Sequence, residues 1–223
     1  MKKKIYSLVA FSLSSLGLFA SNPPSGSWTM YFGTYQLKDS KFRASYDVQY
    51  RTHELFNDLN QLLIRGAIQY KINPNITTGI GYAFVQTEAF GEPDLPFKEN
   101  RIFQEVLTQQ QIFENVPLKQ RFRWEQRFIE NADFRTRLRH QMTIDVPFYQ
   151  FEKDKQFLYA TAYNELFINT DKSRKTNVFE RNRLYTGLGY KHNSNLSFQL
   201  GWMNQMLQKQ SYQQWMISVH HTL

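Results

Sequence analysis

The 223 residues contain no cysteine. That removes disulfide frameworks, thiolate nucleophiles, zinc–cysteine centres and a lipidated cysteine anchor. Long apolar runs are scarce as well: beyond residue 20, none approaches the ~18 uninterrupted apolar residues of a membrane helix. The 7 prolines all fall between strand-like stretches or at their edges. No glycine-rich phosphate loop, helical metal motif or pair of catalytic carboxylates is recognisable. Acidic residues are outnumbered, 19 against 27 basic, which gives a formal charge of +8. The arginines stand at alternate positions and form no basic run, so nucleic acid is a poor partner for this charge.

What is present begins with Lys2, Lys3 and Lys4, an apolar stretch from Ile5 to Phe19, and small Ala20 and Ser21. This is the layout of a secretory signal, and we expect removal of residues 1–20 by cleavage near Ala20. Residues 21–223 are then one domain.

The most informative stretch is 118–146. Leu118, Gln120, Phe122, Trp124, Gln126 and Phe128 alternate with Lys119, Arg121, Arg123, Glu125 and Arg127. The pattern resumes as Phe134, Thr136, Leu138, His140, Met142 and Ile144 against Arg135, Arg137, Arg139, Gln141, Thr143 and Asp145. A period of two is a strand signal, because a helix would scatter the arginines around its circumference. Each arm is about twice the ordinary strand length of roughly 5–6 residues. A tilted strand needs about 9–11 residues to cross hydrocarbon, which such arms satisfy.

The same alternation recurs in segments 28–37, 41–53, 61–72, 76–87, 101–114, 156–167, 178–190, 196–206 and 211–223. Short gaps at 38–40, 73–75, 115–117 and 192–195, with 147–155 a longer exception, predict turns at one rim. Gaps at 54–60, 88–100, 168–177 and 207–211 predict longer loops at the other, with a short one at 131–133. The fold class is therefore all-β, an antiparallel transmembrane β-barrel. Eleven candidates are visible, but bacterial single-chain barrels have even numbers, so we expect twelve strands, with ten as the alternative. Gly79 and Gly81 share one face, where a barrel bends or makes room inside. Trp215, Ile217, Val219, His221 and Leu223 alternate to the last residue, which resembles the terminal signal read by the barrel-assembly machinery. The match departs in ending on Leu223, where an aromatic is usual.

The arginine hairpin, from Arg121 to Phe128 and from Phe134 to Arg139, together with Trp28 and the Tyr50-Arg51 strand end, resembles a bacterial family catalogued as domain of unknown function 2490. That resemblance covers nearly the whole mature chain. It implies an outer-membrane barrel and supplies no activity.

For function, the charged face of the strands is the candidate site. Arg43, Arg51, Arg65, Arg121, Arg123, Arg127, Arg135, Arg137, Arg139, Arg181 and Arg183 would share a lumen with Asp47, Glu105, Glu125 and Asp145. One reading is an ion-pair network filling a narrow barrel, structural or permeative. The other uses the excess of eleven arginines over four acids, since rings of arginine favour anions and suit a pore or a binder of small acidic ligands. The expected partners are the outer-membrane bilayer, the assembly machinery and small anions, without cofactor or metal. Catalysis is not expected. Lipid-facing His140 has Met142 two residues on, where a His-x-Ser pair would need serine. His192-Asn193-Ser194 has that spacing but sits in a turn-like segment. His220 and His221 face opposite ways on a strand. Trp28, Tyr31, Tyr35, Trp124, Trp202, Tyr212 and Trp215 are candidates for interface girdles. The rival fold is a soluble, lipocalin-like periplasmic barrel, which would place its apolar faces inside.

Overall fold

The computed structural model describes residues 26–113, 116–151, 156–171 and 177–223. The signal segment 1–20 and residues 172–176 of the charged loop at 168–177 fall outside these. The strands are β1 (Gly26–Gln36), β2 (Phe42–Thr52), β3 (Leu59–Asn73), β4 (Ile76–Thr87), β5 (Phe97–Phe113), β6 (Val116–Ile129), β7 (Arg135–Gln150), β8 (Phe157–Asn169), β9 (Phe179–Lys191), β10 (Leu196–Met206) and β11 (Ser211–Thr222). Each pairs with its sequence neighbours, and β1 pairs with β11 to close the barrel.

The expected twelve strands are corrected to eleven. The even-number rule assumes that the first and last strands meet antiparallel. Here β1 and β11 run parallel, from Gly26 opposite Gln214 to Thr34 opposite Thr222. Every other ladder is antiparallel. In an up-and-down meander with an odd strand count, the end strands point the same way, so closure must be parallel. Among the described residues the loops hold no further strand, and alternation needs none.

Several boundaries move. β5 starts at Phe97, four residues before the segment read from the sequence, so the loop before it is shorter than 88–100. β7 runs on to Gln150. Among the described residues no helix is long and apolar enough to cross a membrane, a statement that does not bear on strands.

The sides of the wall follow the alternation. On β2, Asp47, Gln49 and Arg51 are buried, while Phe42, Tyr46, Val48 and Tyr50 are exposed. Inside, two glycines make room for rings. A Cβ on Gly81 would collide with the Phe103 ring, and one on Gly189 with the Tyr159 ring. Each glycine faces its aromatic across a ladder, since Gly81 pairs with Phe103 and Gly189 with Tyr159. The interior is divided: β1, β8, β9, β10 and β11 contribute an apolar cluster of Trp28, Met30, Tyr185, Met203 and Met216, with Phe32 and Tyr163 packed on it. The strands β5 to β9 contribute most of the charges, with Asp47 and Arg51 on β2 and Arg65 on β3.

Candidate functional site

The inward face of β6 and β7 sets the geometry. Register places Arg123 opposite Arg139, Glu125 opposite Arg137, and Arg127 opposite Arg135. Like charges directly across a ladder repel, so acids besides Glu125 must come from other strands, and they do. Glu99 on β5 accepts from Arg101 at 2.8 Å and from Arg127 at 2.5 Å. Glu105 accepts from Arg123 at 2.6 Å. Glu125 accepts from Arg137 at 2.5 Å and Arg139 at 2.7 Å. Glu165 on β8 accepts from Arg139 at 2.6 Å and Arg121 at 2.8 Å, with Arg183 at 3.7 Å. Glu180 accepts from Arg137 and Arg181, each at 2.8 Å.

Arg137 bridges Glu125 and Glu180, Arg139 bridges Glu125 and Glu165, and Arg127 reaches both Glu99 and Glu180, so these pairs form one connected lattice across five strands, with Arg123–Glu105 a separate pair beside it. Glu125 and Glu165 are 1% and 3% exposed, so the lattice is dry enough for unpaired charge to be costly. Two phenyl rings serve as hubs beneath it. Phe103 lies under Arg123 at 4.2 Å, and Phe167 under Arg139 and Arg183 at 4.6 and 4.7 Å. Guanidinium planes over ring faces gain cation–π attraction that strengthens with desolvation.

The remaining residues singled out from the sequence divide. Arg65 pairs with Asp47 at 2.6 Å. Asp145 pairs with Lys119 at 2.8 Å, near the opposite rim from Arg51. Arg43 donates to Gln69 at 2.6 Å, and Arg135 lies on the inner wall with its Nε unpartnered. Arg51 is 8% exposed and donates to the Gln49 and Gln61 side chains, with no carboxylate partner among the described residues. Its guanidinium lies 3.8 Å from the Trp28 ring centroid, and Arg183 lies 4.8 Å from the same ring.

Three acids and one arginine escaped the sequence reading. Glu99 lies on the start of β5, in the segment 88–100 that reads as a loop, and Arg101 is the first residue of the segment 101–114. Glu165 stands on a strand with mainly apolar residues on both faces, so its polarity was faint. Glu180 precedes Arg181, and strict alternation puts such neighbours on opposite faces. A bulge resolves this: Phe167 opposes Arg181 and Ile168 opposes Phe179, which leaves Glu180 as the extra residue beside Arg181. With these acids the excess of positive charge is smaller than eleven against four.

Between the lattice and the apolar cluster lies a cavity of about 1280 Å³. Its walls include Phe90, Phe97 and His53 at one rim and Pro147, Ser194 and Asn195 at the other. The loop 88–96 folds over the first rim, with the Gly91 amide donating to Asp58 at 2.9 Å and Phe90 edge-on to His53 at 5.6 Å.

The histidines are otherwise placed. His140 stacks on Phe122 at 4.3 Å on the outer wall. His220 stacks on Phe32 at 4.8 Å, and His221 meets the Tyr31 hydroxyl at 2.9 Å. In the turn at 192–195, Asn193 Oδ1 accepts from the amides of Asn195 and Leu196, both at 2.8 Å. Among the described residues no three His, Cys, Asp or Glu side chains are grouped as metal ligands.

Comparison with known proteins matches residues 25–216 to a family described as protein of unknown function (DUF2490). An uncharacterized protein of Methylorubrum extorquens is 28% identical over 209 residues, covering 89% of each chain. No solved structure matches.

Proposed function

Since the chain belongs to the DUF2490 family, whose description names no activity, we propose from the site itself that it is a bacterial outer-membrane barrel with a narrow lumen that passes small anions. The observation that carries this is inverted polarity. Ile64, Ile68, Ile80, Trp124, Leu188, Leu200 and Trp215 are exposed on the outer wall, while arginine and glutamate fill the inside. Water penalises such a wall, because contiguous exposed apolar surface of this extent is rare in soluble monomers. Hydrocarbon rewards it. A soluble lipocalin-like barrel would have the opposite arrangement.

Strand lengths agree. They run from 11 residues in β1 to 17 in β5, at or above the roughly 9–11 needed to span hydrocarbon at a tilt. The alternating loop and turn lengths, the terminal strand and the N-terminal signal-like segment fit export and insertion by the assembly machinery. Arg51, without a carboxylate among the described residues, and the arginines lining the cavity favour anions over cations. The interior contributes position and charge; the reading includes no catalytic step.

The test has two stages. Folded protein should remain in the urea-washed outer-membrane fraction and change gel mobility on boiling. In planar bilayers under a KCl gradient, the reversal potential should favour chloride, and Arg51→Glu should reduce that preference. Recovery in the soluble periplasmic fraction would overturn the membrane assignment. A second reading rests on the connected lattice and on the loop across one rim: a closed barrel braced by its ion pairs. Silence from a preparation shown to be folded selects it.

A further inference from the structure

The cavity has two unlike walls, and a simple ion path has no use for one of them. Trp28, Met30 and Met216 form an apolar face backed by Tyr163 and Tyr185. Opposite them stand Arg121 and Arg139, both already held by Glu165. At the edge where the two walls meet, Arg51 and Arg183 lie against the same indole. Arg183 has a carboxylate at 3.7 Å, whereas among the described residues Arg51 has only the neutral side chains of Gln49 and Gln61. Arg51 Nε is buried without a hydrogen-bond partner.

A buried guanidinium with no counter-charge is unfavourable unless an anion comes to it. Small-molecule sites typically occupy about 300–1000 Å³ of mainly apolar surface with a few fixed polar groups. The cavity of about 1280 Å³ is large enough to hold such a site.

We propose that the lumen binds an amphipathic organic anion, a carboxylate carried on an apolar and preferably aromatic body. Arg51 takes the carboxylate, with Arg183 beside it. Trp28 and Met30 take the body, the indole offering its edge while its face is occupied by guanidinium. This deepens the permeation reading by naming a solute class for the same lumen, and it rests on the interior being reached from the rims. It does not require current to flow.

The probe is 1-naphthoate, titrated calorimetrically into detergent-folded protein against a detergent blank. Acetate supplies the charge without the body, and 1-naphthylmethanol the body without the charge. One site for naphthoate is expected, with both controls at least tenfold weaker. Arg51→Gln should weaken naphthoate by roughly ten- to a hundredfold, the range for losing a charged hydrogen bond. Arg51→Lys, which keeps the charge without the fork, should fall between. Boiled-versus-unboiled mobility establishes that each variant is folded.

Equal binding of acetate and naphthoate would overturn the apolar wall's role and with it the proposal. Equal binding of naphthylmethanol and naphthoate, unchanged by Arg51→Gln, would overturn the charge's role. A folded barrel that conducts chloride but gives no heat with naphthoate overturns this inference alone. One that binds naphthoate without conducting supports it and overturns only permeation.

Discussion

Arg137 stands directly across the β6–β7 ladder from Glu125 and donates two hydrogen bonds to it, at 2.9 and 2.5 Å. The pair is the middle of the lattice, because Glu125 also holds Arg139 and Arg137 also holds Glu180. Removing one member of a buried pair leaves its partner uncompensated, typically at a cost of about 3–5 kcal/mol. Glu125→Gln should therefore destabilise the folded barrel by that order, read as a lower urea midpoint for loss of the unboiled gel form.

Steric fit inside gives a second expectation. Gly189→Ala should be destabilising by about 1–3 kcal/mol, because the new methyl meets the Tyr159 ring. Tyr159→Ala in the same chain should remove much of that penalty. A double-mutant cycle from unfolding midpoints checks it, and additive effects would contradict the contact.

The outer wall gives a third. Leu200 is exposed near the middle of β10. Leu200→Arg should cost about 2–4 kcal/mol in a bilayer, the depth-dependent penalty for charge on the lipid face. Measured by refolding into vesicles, the change would be nearly neutral if this surface met water.

The seam gives a fourth. Thr29 pairs with Ile217 across the parallel β1–β11 ladder. Since the chain has no cysteine, Thr29→Cys with Ile217→Cys introduces a unique thiol pair. Oxidation should close the chain into a loop with altered mobility on a non-reducing denaturing gel. A barrel whose end strands met antiparallel would not place these two together.

Where the sequence spoke plainly, the reason was strict alternation. Phe122, Trp124 and Phe128 against Arg121, Arg123 and Arg127 could satisfy only a strand with two unlike sides. The same rule read all eleven strands and then lost to an assumption about parity, which no single residue encodes. Closure is a property of the two ends meeting, and nothing in Trp28–Thr34 or Trp215–Thr222 marks their direction as parallel. Eleven arginines and the acids Asp47, Glu105 and Glu125 that pair with some of them were legible; Arg101, Glu99, Glu165 and Glu180 were not. Glu180 is hidden by a bulge that breaks the period, and Glu165 by neighbours apolar on both faces. The roles of Phe103 and Phe167 as hubs beneath guanidiniums belong to cross-strand geometry, since neither lies near its arginines in sequence.

The parallel seam also decides where the polypeptide emerges. β1 starts at the rim carrying the longer loops, and β11 ends at the rim of short turns, where the Leu223 amide donates to the Thr34 carbonyl at 2.7 Å. In an even meander both tails leave on one side. On the proposed outer-membrane reading, Gly26 and Leu223 therefore stand at opposite faces of the membrane. A peptide tag at one end and another at the other would report opposite sides of the same membrane.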